Sequence, residues 1–366
     1  MRGQLGIALI SAMLIAALVT AGAVALTTQQ YFGTRRVANI LSGERAALAI
    51  DELEVAAIRV LREDTKKGRF DAESETWANT EFSATHGDVT AHGQLSDLQA
   101  KFNLTNLSPD PIVQNIAEAA APSSTDSPPA LATAAPPGTV ACEPGAECAE
   151  PTPTTPNVAA LEATVAAIQP TLSKAAERRL RLLFKALNLD ETPVQAILDW
   201  IDPDTETRFP NGAEDDYYTE QWPAYRTANR PLASSRELLL VKGITMEAFA
   251  KLAPLVICLP NVTKINVNTA PKEVLMSLAP GIDSGAAAAI IRARQAQPFL
   301  SVEMFLQHPL LQFRPIRAHT VAIGSDYFAL DSDADNQRFE ISMQSTLKRS
   351  GGEVTVIARQ RHNFDE

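Results

Sequence analysis

No charged side chain occurs between Arg2 and Arg35 of this 366-residue chain, which excludes a solvated surface helix over that stretch. Cysteine is nearly absent: Cys142 and Cys148 stand with five residues between them in a Pro-rich stretch, and Cys258 is alone in an apolar run. In an oxidising compartment the first two can close a small loop, and a short flexible loop can equally leave both thiols free. There is no C-x-x-C, H-E-x-x-H, G-x-S-x-G or P-loop, and the five histidines, His86, His92, His308, His319 and His362, lack ligand spacing. Redox, hydrolase and nucleotide chemistry therefore have no residues to work with, and no enzyme is expected. Cations are in deficit as well. With 32 Lys and Arg against 43 Asp and Glu, a net charge of -11, the chain has no general attraction for nucleic acid, whose affinity rests on neutralised phosphates.

What is present begins with Leu5 to Leu26, where only Ser11 and Thr20 interrupt an apolar or small-residue run. As a helix at ~1.5 Å per residue that run reaches about 33 Å, enough to cross a bilayer core. A secretory signal peptide cut after Ala23-Val24-Ala25 would instead release a soluble protein. Against that reading, the charged region ahead of the run is a single Arg, and helical spacing persists beyond it. Val37, Ile40, Leu41, Ala47, Leu48, Ile50, Leu53, Val55, Ile58 and Leu61 predict one amphipathic helix continuing to about Lys67.

Residues 68–110 mix short apolar runs with Gly and Asn, and strands are expected at Asp88 to Ala91 and Leu98 to Phe102. Residues 119–157 hold nine of the 24 prolines among Ala, Ser and Thr, a linker with too few large apolar residues to fold. Helical signals follow at Val158 to Ile168, at 173–189 behind Ser173 as N-cap, and from Pro193 through VQAILDWI. Further helices are expected around Ser235 to Val241, Met246 to Leu252, Lys272 to Leu278, Gly285 to Gln295 and Val302 to Gln307. The tail alternates in strand fashion at Tyr327 to Leu330, Phe339 to Gln344 and Val354 to Arg359, with DSDADN and RSGGE read as turns.

Gly6 ahead of Ile7-Ala8-Leu9-Ile10-Ser11 and an unbroken apolar helix resembles the type IV prepilins, whose short leader ends in Gly. The resemblance implies cleavage between Gly6 and Ile7 by a prepilin peptidase, an N-methylated Ile7, and an apolar helix kept for membrane and filament. Ser11 stands where most members carry Glu. A buried acid in an apolar helix is costly unless paired, and in pilins it is thought to pair with the amine of the neighbouring, earlier subunit. A subunit with nothing ahead of it can omit the acid.

Five blocks narrow the resemblance: GIALISAMLIAALV at 6–19, DLQAKFNLTNL at 97–107, LDWIDPDTETRFPNGAEDDYY at 198–218, YRTANRPLASSRELLLVKGIT at 225–245 and INVNTAPKEVL at 265–275. In this order they resemble the K-type minor pseudopilins of type II secretion systems over nearly the whole chain. The fold this implies is α+β and type IV pilin-like, a long N-terminal helix packed on a small antiparallel sheet, with a large inserted all-helical domain. The expected division is a leader at 1–6, the hydrophobic helix at 7–67, the first part of the sheet at 68–110, the linker at 119–157, the inserted helical domain at 158–310 and the C-terminal strands at 311–366. The implied role is the tip subunit of the periplasmic pseudopilus, which starts its assembly and supports export of folded proteins across the outer membrane. A single pass in the inner membrane would carry a periplasmic head. Implied partners are the I-type and J-type minor pseudopilins, other pseudopilins and the prepilin peptidase, with the secretin or the exported substrate as further contacts and no nucleic acid.

Eight carboxylates (Asp199, Asp202, Asp204, Glu206, Glu214, Asp215, Asp216, Glu220) crowd one loop against the single cation Arg208. Hard oxygen donors on a loop turned by Pro203, Pro210 and Asn211-Gly212 suit Ca2+, which takes six to eight oxygens. Asp202, Asp204 and Glu206 are spaced like the first ligands of a calcium loop, but the Gly and Glu that an EF-hand needs at its sixth and twelfth positions are missing. The plain alternative is a solvated acidic loop. Resemblance to the K-type pseudopilins, whose helical domain binds calcium, favours a structural Ca2+ with Asp202, Asp204, Glu206, Glu214, Asp215 and Asp216 as candidate ligands. The stretch 265–305 has the shape of a helix-hairpin-helix, in which Arg292 and Arg294 would supply charge to a DNA phosphate. Its turn, Pro280-Gly281-Ile282-Asp283, sets a carboxylate where phosphate would approach. A structural hairpin is therefore preferred, with Asn266 and Asn268 holding turns while Ile282, Ile290, Ile291 and Phe299 pack. The rival functions are a nucleic-acid-binding or DNA-uptake protein and a secreted calcium-binding protein.

Overall fold

A computed structural model describes residues 3–68, 70–109, 173–336 and 339–362. Cys142, Cys148, the 119–157 linker and the helix expected at Val158 to Ile168 lie outside them. Helix α1 runs from Gly3 to Lys67 and contains no proline, so no backbone donor is lost along it. Among the described residues it is the one helix long and apolar enough to cross a membrane, and Met13, Leu14, Ile15, Leu18, Val19, Val24 and Leu26 are exposed along it. In its second half Ala46, Ala49, Ile50, Leu53, Ala57 and Leu61 are buried, a helical-period stripe that lies on the sheet.

That sheet has five strands, β1 (Glu81–His86), β2 (Val89–Asp97), β3 (Tyr327–Asn336), β4 (Phe339–Ser350) and β5 (Glu353–His362), paired in chain order. Every pairing is antiparallel, and Leu95 of β2 faces Leu330 of β3 while Phe328 faces Leu347. These side chains close the core under α1 with Trp77, whose ring meets Phe328 edge-on at 5.2 Å. Arg359 on β5 forks onto Glu54 of α1 at 2.7 and 2.5 Å, tying the edge strand to the helix.

Two expectations about strands are corrected. The strand expected at Leu98 to Phe102 is present only from Phe102, in a two-residue strand Phe102–Asn103 paired with Val256–Ile257, because β2 already extends to Asp97, whose carboxylate caps a 3-10 turn at Leu98–Ala100. DSDADN is not a turn but the second half of β3. Asp331, Asp333 and Asp335 are exposed there and Ser332 and Ala334 buried, so pairing on both sides overrides the poor strand propensity of Asp. Asp331 accepts from Ser96 and Gln344, and Asp333 from Ser342.

Between β2 and β3 the chain builds a second, helical core. Helix α2 (Thr76–Asn79) precedes the sheet; α3 covers residues 173–186, followed by α4 (Pro193–Ile201), α5 (Asp215–Thr219), α6 (Met246–Leu252), α7 (Lys272–Ser277), α8 (Ser284–Ala296) and α9 (Val302–Leu306). Leu180, Leu183, Phe184, Ile197, Trp200, Leu275, Ile290 and Phe305 are among its buried residues. Leu311 and Val321 belong to this core too, so the sheet resumes at Tyr327 rather than at 311. Ser173 lies inside α3 instead of capping it, and its hydroxyl donates to the Leu107 carbonyl at 2.9 Å.

The two cores meet in a buried polar knot. The Asn266 amide nitrogen reaches the Asp71 carbonyl at 3.0 Å and Asp97 Oδ2 at 2.9 Å, and the hydroxyls of Thr269 and Ser325 donate to the same Asp97 oxygen at 2.5 and 2.7 Å. Full satisfaction of these groups is what permits their burial.

Candidate metal centre

Helix α4 opens on Pro193, where the missing N–H costs nothing, and stops at Asp202. Its fully buried Asp199 organises the loop that follows. Oδ2 accepts the backbone N–H groups of Arg208 at 3.1 Å and Ala213 at 2.8 Å, and Oδ1 accepts the Arg208 guanidinium at 2.9 Å. The return of the loop onto α4 needs glycine at 212. A Cβ there would lie 2.1 Å from Asp199 Oδ2 and 2.5 Å from the Arg208 carbonyl, so no side chain fits.

This close return carries Glu214 to the end of α4. One carboxylate oxygen from each of Asp202, Asp204 and Glu214 lies within 4.8 Å of the others. Asp202 and Glu214 are only 3% and 2% exposed, whereas Asp204 faces solvent. Arg208 pairs with Asp202 through Oδ2. Asp202 Oδ1 and both Glu214 oxygens are buried with no hydrogen-bond partner, and so is Asn229 Oδ1. The Asn229 amide nitrogen reaches the Asp204 carbonyl at 3.3 Å, and its backbone takes the left-handed region, φ 45°. Burial, with repulsion from Asp199 and Asp202, raises the Glu214 carboxyl to about 7. Burial raises Asp202 to about 6, against the pull of Arg208.

Three buried carboxylate oxygens without a donor, on Asp202 and Glu214, form an oxygen-only donor set with the exposed Asp204 beside it, and Asn229, whose own side-chain oxygen is orphaned, is tied to the Asp204 carbonyl. Hard divalent cations are bound by such sets, and Ca2+ tolerates their irregular geometry. The residues present fit that ion.

Of the ligands read from the sequence, Asp202, Asp204 and Glu214 converge and the other three do not. Glu206 contributes its backbone N–H to Asp204 Oδ1 at 2.9 Å. Asp215 accepts from the N–H and hydroxyl of Thr227 at 3.0 and 2.9 Å, and Asp216 is exposed in the first turn of α5. Asn229 was not legible, because only its φ and its orphaned oxygen mark it. A second acidic trio, Asp64, Asp71 and Glu75, is bridged by Arg349 to Asp64 and Asp71 and so is partly neutralised already. Burial and then Glu75 and Asp71 raise Asp64 to about 6.

Gly6, Ile7 and Ser11 lie within α1. In the hairpin, α7 and α8 are joined at Gly281, φ +82°, over which the Arg314 guanidinium lies, donating to the Pro280 carbonyl at 3.3 Å. Asp283 caps α8, and Arg294 is buried with its guanidinium on the Val267 and Ala270 carbonyls. Arg294 is therefore not open to a phosphate, whereas Arg292 is exposed. Ile282, Ile290 and Phe299 are buried, Ile291 packs against them, and the Asn266 and Asn268 side chains hold the 265–299 backbone.

The family described as type II secretion system (T2SS), protein K, matches residues 156–261 and again residues 265–322. Over those residues the chain is similar to that family. The type II secretion system protein K of Pseudomonas aeruginosa is 28% identical over 374 aligned positions, covering 98% of this chain and 93% of the relative. That of Klebsiella pneumoniae is 31% identical over 186, covering 47% and 57%. The fold is shared with a chain in the crystal structure of the GspK-GspI-GspJ complex from enterotoxigenic Escherichia coli, at a TM-score of 0.65 and 22% identity, over 90% of this chain and 99% of that one. The acidic loop lies within the first of the two matched segments, and α1 lies ahead of both.

Proposed function

We propose that this protein is a minor pseudopilin at the tip of the type II secretion pseudopilus, anchored in the inner membrane by α1 with its sheet and helical core in the periplasm. The observation that carries the reading is the double character of α1. One stripe is buried on the sheet, while Val37, Ile40, Leu41, Leu48 and Val55 stay exposed on the same helix. Large apolar residues held in water on a rod that continues into an apolar span form a packing surface for similar helices. Cleavage between Gly6 and Ile7, with methylation of Ile7, leaves that rod intact, and Ser11 suits a subunit that leads the stack. The role is structural: capping the filament, starting its assembly and supporting export.

The I-type and J-type minor pseudopilins are the proposed neighbours, by likeness to the complex named above, with other pseudopilins below and the secretin or the exported substrate beyond. Within the head, Asp202, Asp204, Glu214 and Asn229 would hold Ca2+. The ion supplies the positive charge that the buried oxygens lack and ties the end of α4 to residues 214 and 229. Co-expression with the I-type and J-type pseudopilins tests the assembly. A stable ternary complex, weakened by Leu48→Asp, is expected; a head that never co-purifies with either protein contradicts the reading.

A further inference from the structure

Helix α3 and the hairpin enclose a small cleft of about 30 Å³, lined by Arg178, Arg179 and Arg317 with Leu278, Pro280 and Pro315. No carboxylate lines it among the described residues. Arg179 is 8% exposed, and its one hydrogen bond in the described structure runs from Nη1 to the Thr320 carbonyl at 3.4 Å. A guanidinium carries five N–H donors, so Arg179, which lines the cleft, keeps donors for a ligand there. Its neighbours add to the positive field. Burial, and then Arg317, Arg179 and Lys264, push the His319 pKa down, and Arg314 covers the adjacent hairpin turn. In a chain of net charge -11, a buried cation with no acid beside it is unfavourable unless a counter-charge arrives from elsewhere.

We propose that this cleft binds one carboxylate group, the head of an Asp or Glu side chain from a protein seated on this face, with Arg179 at its floor and Arg178 and Arg317 at its rim. A planar two-oxygen group meets the guanidinium fork in bidentate fashion, and the apolar Leu278, Pro280 and Pro315 line the rest of the cleft.

The test uses the full chain in detergent, titrated with sodium acetate at constant ionic strength while Tm is followed, with inorganic phosphate as the contrast. Acetate is expected to raise Tm saturably, by about 2 °C at ten times its Kd, and phosphate to raise it less. Arg179→Met should abolish the rise and should not lower Tm in acetate-free buffer, because it removes an uncompensated buried charge. Should that variant fail to fold, the exposed Arg317→Gln must weaken acetate binding severalfold while leaving the acetate-free Tm unchanged. The proposal is overturned if acetate has no saturable effect, if its effect survives both substitutions, or if phosphate binds as well as acetate.

Discussion

Replacing Glu214 by Gln changes the sign of its effect with calcium. In the metal-free protein both Glu214 oxygens are buried without a partner and the carboxyl is raised from 4.5 to about 7. A raised folded-state pKa makes the charged form a liability: its stabilising protonated state is present at low pH and lost as pH rises through the folded value. At pH 8 holding that carboxyl charged costs about 3 kcal/mol relative to the unfolded chain. Glu214→Gln keeps the shape and removes the charge, so in EDTA at pH 8 its Tm should exceed that of the wild type by several degrees, at about 2 °C or more per kcal/mol. With calcium the order reverses. The wild type gains the binding free energy and the variant, short of an anionic ligand, gains little. Differential scanning calorimetry of both proteins, with EDTA and with millimolar calcium, gives the four values. A variant that is less stable in EDTA, or that is stabilised by calcium as much as the wild type, would refute the assignment.

Other outcomes follow from the same geometry. Calcium affinity should fall roughly tenfold between pH 7 and pH 6, because Glu214 must lose its proton to bind, about fivefold, and Asp202 likewise, about twofold; isothermal titration at the two values, with proton release seen in buffers of different ionisation heat, checks it. Gly212→Ala, whose Cβ would sit 2.1 Å from Asp199 Oδ2, should destabilise by about 3 kcal/mol and weaken calcium binding together. Asp64 is raised from 3.8 to about 6, so the stability it contributes is full below about pH 4 and lost as pH rises through 6. Asp64→Asn should therefore raise stability at pH 7, by at most about 3 kcal/mol, and give no gain at pH 4; thermal melts of calcium-free protein across that range measure it.

The elements with an intrinsic period were readable in advance. The rod, α4 behind Pro193 and Met246–Leu252 each carry apolar spacing or a cap that fixes them locally. What failed was set from a distance. Asp331, Asp333 and Asp335 read as turn residues because Asp favours turns, yet β2 and β4 pair with that segment and their polar side chains receive the acids. Leu98 to Phe102 alternates like a strand, but Asp97 hydrogen-bonds to the Gln99 N–H and turns the chain. The acidic loop was legible as a donor-rich segment and not as a site. Which carboxylates converge depends on Gly212 pressing against Asp199, a contact between residues that no local pattern links, and Asn229 enters only through the fold.

The most direct test of the central claim is the mature N-terminus of the protein recovered from its native membranes. Intact and peptide mass spectrometry should find a chain beginning at N-methylated Ile7, its hydrophobic rod complete. A chain beginning downstream of Ala25 would contradict the account.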